Sequence, residues 1–89
     1  MLYRIYTEDK NRTEVNRILD AHFNGATMIP ALGRWHGVDE PSLIIEIDTE
    51  DYGKVMTVVE TILTTNEQQA VMLQETASQT RFVTQKLGA

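Results

Sequence analysis

Two stretches of this 89-residue chain carry apolar residues at helical spacing, and strand-forming runs flank each of them. Apolar residues three and four positions apart form a single face of an α-helix. The first stripe comprises Val15, Ile18, Leu19 and Phe23. The second comprises Tyr52, Val55, Met56, Val59, Ile62 and Leu63. The pattern predicts two amphipathic helices, each of which must bury its apolar stripe against another layer.

The runs around these helices are rich in aromatic and β-branched residues, which favour strands. They occupy residues 2–7, 26–32, 42–48 and 69–74, with a shorter run at 81–84. This order, β-α-β-β-α-β plus a short extra C-terminal strand, predicts an α+β, ferredoxin-like fold. Two helices would cover one face of an antiparallel sheet, and we expect residues 1–89 to form a single domain.

Local signals mark the ends of the helices. Asn11 with Glu14 three positions later matches a capping box at the start of the first helix. Gly25 is expected to end that helix in the left-handed conformation that glycine adopts without steric cost. Asp48 or Thr49 is expected to cap the second helix.

Alternation along the strands separates a helix-facing set of side chains from an open face. The helix-facing set is expected to be Leu43, Ile45, Ile47, Val71 and Leu73. The open face is expected to carry Tyr6, Ile44, Glu46 and Met72, with Glu46 paired to Arg4 or Arg81. A sheet face this apolar favours burial against another subunit. The sequence therefore predicts a homo-oligomer, a dimer or a trimer, with these four open-face residues in its interface.

Composition limits the possible partners and compartments. The chain has no cysteine, which fits a reducing compartment. Its net charge of −5 argues against sequence-independent nucleic-acid binding, because such binding depends on Lys and Arg neutralising phosphates. There is no signal-like N-terminus, and no apolar run reaches the roughly 18 residues that span a bilayer. We expect a cytoplasmic protein, in the host cytoplasm if the gene is viral, with neither nucleic acid nor membrane as a partner.

A glycine-flanked segment at 33–41 is predicted to be a loop and contains the only tryptophan. Trp35 could stack on a planar ligand, which is worth about 1–3 kcal/mol per base. Arg34 could hold a phosphate, and His36 could donate a hydrogen bond to an anion. The alternative is that Trp35 packs against the core or another subunit while Arg34 pairs with Glu40.

A second charged cluster lies at the junction of the first strand and the first helix. Lys10 and Arg12 next to a helix N-terminus suit a small anionic ligand, although Glu8 and Asp9 in the same place oppose one. The alternative is a solvated cap with surface ion pairs. The topology is expected to place this junction and the 33–41 loop at opposite ends of neighbouring strands. They would then meet only across a subunit boundary.

The sequence offers little support for a metal site, a cofactor or catalysis. The two histidines are far apart, and His22 is expected to flank the core. No nucleophile with a nearby base, phosphate-binding loop or dinucleotide fingerprint is present. We therefore expect no catalytic residues, no metal and no cofactor. An acid–base pair of His36 and Glu40 is the alternative that an enzyme would require.

The order of elements, the length and the extra C-terminal strand resemble the trimeric PII and CutA proteins over residues 1–84. No PII or CutA sequence motif is present, so this resemblance implies a topology and no functional residues. The chain also resembles small uncharacterised proteins of phages and their bacterial hosts. The shared pattern is the YTEDKNR segment at 6–12 and the GRWxGxxExSL segment at 33–43. This second resemblance implies a viral accessory role without an established activity.

These observations lead to one functional hypothesis and two alternatives. The leading hypothesis is a non-enzymatic binder of a small ligand of the nucleotide class, and specifically a phage counter-defence protein that sequesters a nucleotide signal between subunits. Trp35 would stack the base, while Arg34 with Lys10 or Arg12 of a neighbour would neutralise phosphate. The first alternative is an interaction module that blocks a host protein through its Trp loop and acidic surface. The second is an enzyme acting on a small phosphorylated substrate.

Overall fold

A computed structural model describes residues 1–68 and 70–76 as two helices and four strands. The elements in chain order are β1 (Leu2–Glu8), α1 (Arg12–His22), β2 (Thr27–Trp35), β3 (Val38–Asp48), α2 (Tyr52–Thr65) and β4 (Met72–Thr76). The strand expected at 81–84 lies outside the described residues. Within the described part of the chain, neither helix has the length and apolarity needed to cross a membrane.

The strands form one antiparallel sheet in the order β2-β3-β1-β4. This α+β arrangement with two helices confirms the predicted ferredoxin-like fold. The register places Tyr6 of β1 opposite both Ile44 of β3 and Met72 of β4. Ile29 of β2 lies opposite Ile44 on the other side. Four large side chains therefore form one row across the open face of the sheet.

The core lies between the opposite face of this sheet and the two helices. Its buried members are Tyr3, Ile5, Val15, Ile18, Leu19, Leu43, Ile45, Ile47, Val55, Val58, Val59 and Ile62. Val71 and Leu73 pack against this core and stay partly buried, since they belong to or adjoin the short edge strand β4. On α2, Val58 is buried although it is not part of the predicted stripe, whereas Met56 and Leu63 of that stripe are only partly buried. Tyr52 lies in the first turn of α2 and its side chain is 48% exposed, with its ring centroid 6.1 Å from that of the buried Tyr3.

Asn11 is the residue before the first turn of α1, as predicted, but the capping box is not formed and the helix ends earlier than predicted. Asn11 has a left-handed backbone, with φ of 55°, and its side chain caps no amide. The capping box therefore does not form, because that conformation differs from the extended one of a capping residue. The helix ends at His22 rather than Gly25. The next residue, Phe23, is extended, and its N–H donates to the Leu19 carbonyl at 2.8 Å.

The capping residue of α2 lies three residues after Asp48 and two residues after Thr49, the two predicted caps. Asp51 is the capping residue, and its Oδ1 accepts a hydrogen bond from the backbone N–H of Lys54 at 3.0 Å. Thr49 acts one step earlier, since its Oγ1 accepts from the backbone N–H of Asp51 at 3.1 Å. The pair thus ties the end of β3 to the first turn of the helix.

The predicted loop at 33–41 is wrong, because these residues continue the sheet as a hairpin. β2 runs to Trp35 and β3 begins at Val38, which leaves a two-residue turn of His36 and Gly37. Both turn residues have positive φ, 51° and 76°, as the tight hairpin turns that match strand twist require. Beyond the last pair of β1 with β3, residues 33–40 project as a two-stranded extension, here called the hairpin arm.

Candidate ligand-binding groove

A groove of about 400 Å³ lies on the open face where the hairpin arm leaves the sheet. Its lining combines aromatic, apolar, small and acidic residues: Tyr6, Thr7, Glu8, Ala31, Leu32, Gly33, Arg34, Trp35, Glu40, Ser42, Ile44, Ala70 and Met72. This volume falls within the range of about 300–1,000 Å³ found for small-molecule sites. The open face therefore contains a depression large enough for a nucleoside-sized molecule.

Small residues at alternate positions create the depression. Ala31 and Gly33 of β2 point to the open face between the larger Ile29 and Trp35. Ser42 of β3 lies opposite Ala31. A Cβ atom on Gly33 would lie only 2.2 Å from the Ser42 Oγ, so the serine hydroxyl occupies the space that a side chain would take.

Trp35 forms the wall of the groove on the side of the arm. Its side chain is 49% exposed, and its ring contacts the His36 imidazole edge-to-face, with ring centroids 4.8 Å apart. The tight turn places His36 at the tip of the arm, outside the groove lining. Trp35 therefore lines the groove, whereas His36 lies outside the groove and packs against the tryptophan ring.

The apolar wall consists of residues that were predicted to form a subunit interface. Tyr6, Ile44 and Met72 all line the groove, and the Met72 side chain is 60% exposed. The Tyr6 hydroxyl donates a hydrogen bond to Gln74 Oε1 at 3.0 Å, which holds the ring across β1 and β4. Three of the four predicted interface residues and the predicted stacking residue thus lie in one site of one chain.

The cations predicted at the β1–α1 junction are engaged by their own neighbours. Arg12 donates from Nε and Nη2 to the two carboxylate oxygens of Asp9 at 3.0 and 2.5 Å. This bidentate contact lowers the pKa of Asp9 below its ordinary value. Lys10 Nζ lies 3.2 Å from Glu8 Oε2. A phosphate at this junction would have to displace these carboxylates. The geometry of the junction therefore agrees better with the predicted alternative, a solvated helix cap with surface ion pairs.

Arg34 also pairs with a carboxylate, although not with the expected one. Its Nη1 donates to Asp39 Oδ1 at 2.6 Å, since the ladder places Asp39 rather than Glu40 directly opposite. Alternation along β2 directs the Arg34 side chain away from the face that carries Gly33 and Trp35. Arg34 therefore borders the groove, but its guanidinium group pairs with Asp39 on the opposite face of the sheet.

The β1–α1 junction and the hairpin arm lie at the same end of the sheet, which corrects the prediction that they are opposite. The backbone N–H of Asp9 donates to the Pro41 carbonyl at 3.0 Å. The reason is that β1 and β3 are antiparallel neighbours, so the end of β1 meets the start of β3. Glu8 consequently reaches the groove within the same chain as Trp35.

Acidic groups are the charged side chains that the open face presents to the groove. Glu8 and Glu40 both belong to its lining. The predicted partner of Glu46 is confirmed as Arg4, whose Nε donates to Glu46 Oε2 at 2.6 Å. This pair lies on the same face outside the groove lining and raises the pKa of the Arg4 guanidinium through that hydrogen bond.

The structure contains no metal-binding cluster among residues 1–68 and 70–76. No three His, Asp or Glu side chains in this part of the chain are grouped to hold a metal ion. His36 lies in the turn, whereas Glu40 lies opposite Gly33 on the ladder and faces the groove. The acid–base pair that an enzyme would need is therefore not formed by these two residues.

Ala31, Gly33 and Ser42 line the groove although the sequence did not predict them as site residues. The signal was present as small residues at period two within strand-like runs, but it is legible only when the register between β2 and β3 is known. Because residues 33–41 were predicted to form a loop, the pairing of β2 with β3 in this region could not be inferred. The sequence placed Glu8 beside Lys10 and Arg12, and Glu40 beside Arg34. It did not show that both carboxylates line the same cavity.

No protein-family model matches the chain, and no curated protein matches its sequence. Solved structures do share its fold. A nitrogen regulatory PII-like protein from Thiomonas intermedia, bound to ADP, AMP and bicarbonate, matches over 82% of each chain, with a TM-score of 0.62 and 15% identity. A phage SAM lyase in its apo state matches over 81% of this chain and 75% of its own, with a TM-score of 0.63 and 18% identity.

A third similar structure is a DUF3240 family protein from Shewanella baltica. It matches over 92% of this chain and 94% of its own, with a TM-score of 0.66 and 7% identity. At these identities the likeness establishes the fold alone. The chain thus has a PII-like ferredoxin-like fold, as the resemblance in element order predicted.

Proposed function

We propose that this protein binds a small planar ligand in the groove without transforming it. The observation that carries the proposal is the placement of a half-exposed Trp35 beside a cavity of about 400 Å³ whose far wall is Tyr6, Ile44 and Met72. Stacking on an indole and burial against apolar side chains are the usual sources of affinity for a ring. Binding of this kind requires no nucleophile and no general base.

A nucleotide or a nucleotide-derived molecule is the ligand class that we propose. The groove suits the base and the ribose, and similar folds include a PII-like protein bound to ADP and AMP. A phosphate would depend on Arg34, Lys10 or Arg12 exchanging a carboxylate partner or acting from another subunit. In a phage setting, suggested by the segments at 6–12 and 33–43, the protein would counter host defence by sequestering a nucleotide signal.

We also propose that the chain assembles as a dimer or trimer. The row of Ile29, Ile44, Tyr6 and Met72 crosses the whole sheet, and a second copy would remove its exposed part from water. Such packing would enclose the groove from the side that is open in one subunit. Native mass spectrometry gives the subunit number directly.

The proposal is tested by titrating the purified protein with adenosine, AMP, ADP, ATP and cyclic nucleotides while following tryptophan fluorescence. Trp35 is the only tryptophan of the chain, so the signal comes from the groove wall. We expect saturable quenching by at least one compound and recovery of that compound unchanged after heating. Ala substitution of Met72 should weaken the response, whereas Ala substitution of the distant Asn16 on α1 should not. A compound of altered mass would refute non-enzymatic binding.

A protein-interaction module is the second candidate, and the exposed hairpin arm favours it. Val38 is 65% exposed and lies directly opposite Trp35, and Leu32, just before the arm, is 73% exposed. Val38 is not part of the groove lining, so Val38→Asp separates the two candidates. Loss of a host partner in crosslinking, with unchanged ligand titration, would assign Val38 to a docking surface. An unchanged partner profile would leave the arm without that role.

A further inference from the structure

The charges around the groove do not match those that a phosphate-rich ligand requires. Glu8 and Glu40 line the cavity, and among the described residues no cation forms an ion pair with Glu40. Arg34 is the one cationic residue among the described residues of the lining, and it pairs with Asp39 on the other side of its strand. The groove therefore presents an aromatic wall and two carboxylates to whatever enters it.

We infer that the groove selects a planar molecule that carries a positive charge close to its ring, such as an adenosyl group bearing a sulfonium or an ammonium. This inference rests on the proposed function and specifies the ligand class of the same site. Polyphosphate nucleotides are expected to bind more weakly than such a cation, because their negative charges would face Glu8 and Glu40.

Two interactions favour such a cation. The face of an indole attracts cations through its quadrupole, and Trp35 presents a half-exposed ring at the cavity. A carboxylate next to an apolar wall adds an electrostatic attraction that water screens less than on an open surface. Glu40 and Trp35 lie on the same face of the hairpin arm, with Glu40 opposite Gly33 and Trp35 two residues after Gly33, so both can reach one charged centre.

Glu40 is the stronger determinant of the two glutamates. Lys10 lies 3.2 Å from Glu8 and compensates part of its charge. Glu40 lies directly opposite Gly33 on the ladder, and none of the ion pairs among the described residues includes its carboxylate. Removing the charge of Glu40 is therefore expected to change ligand preference more than the same change at Glu8.

The decisive experiment compares two ligands that share the adenosyl group and differ in charge. S-adenosylmethionine carries a sulfonium, whereas S-adenosylhomocysteine has a neutral thioether in the same place. We expect the sulfonium compound to bind about tenfold more tightly at low salt, by calorimetry and by Trp35 fluorescence. AMP is expected to bind more weakly than adenosine for the same reason.

The variants Glu40→Gln and Glu60→Gln provide a matched pair, because Glu60 is exposed on α2 and lies outside the groove lining. We expect Glu40→Gln to remove the preference for the cation and Glu60→Gln to retain it. Equal loss in both variants would overturn the inference, because it would reduce the effect to overall charge. Equal binding of the two adenosyl compounds, or tighter binding of AMP than adenosine, would overturn it while the proposed function stands. If no compound binds, the proposed function fails and this inference fails with it.

Discussion

The substitution Gly33→Ala tests whether the groove is shaped by the contact between β2 and Ser42. The Cβ of alanine would lie 2.2 Å from the Ser42 Oγ, well inside the 3.0 Å below which real Cβ contacts are essentially absent. Relief requires the hydroxyl to rotate or the two strands to shift. Overpacking of this kind costs about 1–3 kcal/mol. Because Gly33 does not have a positive φ, alanine also lowers the entropy of the unfolded chain and recovers about 0.4–1 kcal/mol.

The expected net effect is a loss of about 1 kcal/mol in the free energy of unfolding, measured by urea denaturation at fixed protein concentration. In thermal unfolding, this loss corresponds to a Tm lower by about 4–8 °C for a domain of this size. Gly25→Ala is the control, because a Cβ at that position has no neighbour within 4 Å. It should leave stability unchanged or slightly raised.

The double variant Gly33→Ala/Ser42→Ala identifies the cause of the loss. With the hydroxyl removed, the nearest remaining atoms are the Cβ of residue 42 at 3.4 Å and the Glu40 carbonyl oxygen at 3.6 Å, which are ordinary contacts. The double variant should therefore regain stability, with a coupling energy of about 0.5–3 kcal/mol between the two sites. If Gly33→Ala is as stable as the natural protein, the serine turns away without cost, and the proposed steric origin of the groove floor is wrong.

Three further changes probe the fold. Ile45→Ala empties a fully buried position of the central sheet and should cost about 2–5 kcal/mol in urea denaturation. Thr7→Val removes the buried hydrogen bond from Thr7 Oγ1 to Gln68 Oε1 at 2.8 Å and should cost about 1 kcal/mol in the same assay. Asp9→Asn tests the ion pair with Arg12. Since that pair lowers the pKa of folded Asp9, its stabilisation is present above the ordinary value of about 4 and is lost as the pH falls through the folded pKa. The stability difference between the natural protein and Asp9→Asn should therefore be seen at pH 7 and vanish in acid. A difference that persists in acid would assign it to another cause.

The secondary structure and the core could be predicted because they depend on periodicities that each segment carries by itself. The stripe at Val15, Ile18 and Leu19 faces the sheet as expected, and so do Leu43 and its alternate neighbours. The hairpin turn could not be predicted in this way. Its strongest sequence signals are Asn-Gly and Asp-Gly, and histidine with φ of 51° in front of Gly37 does not match them.

The groove could be predicted only in part, because it depends on pairings between distant segments. Trp35 and Tyr6 were identified separately, one as a ligand residue and one as an interface residue. Their meeting in one cavity requires the β2-β3-β1 register, and a shift of one residue would turn either side chain to the opposite face. Arg34 illustrates the same point, since its partner is set by the ladder rather than by distance along the chain.

The hairpin arm gives β3 two levels of local stability. From Ser42 to Glu46, β3 is paired on both sides, by β2 and by β1, and alternate side chains are buried in the core. Beyond the hydrogen bond from Asp9 to Pro41, β3 has only β2 as a neighbour and largely exposed side chains. Local opening needs little free energy where few buried contacts are lost. The backbone amides of the arm should therefore exchange with solvent as a unit well before those near Ile45, so that one wall of the groove can open while the core stays folded.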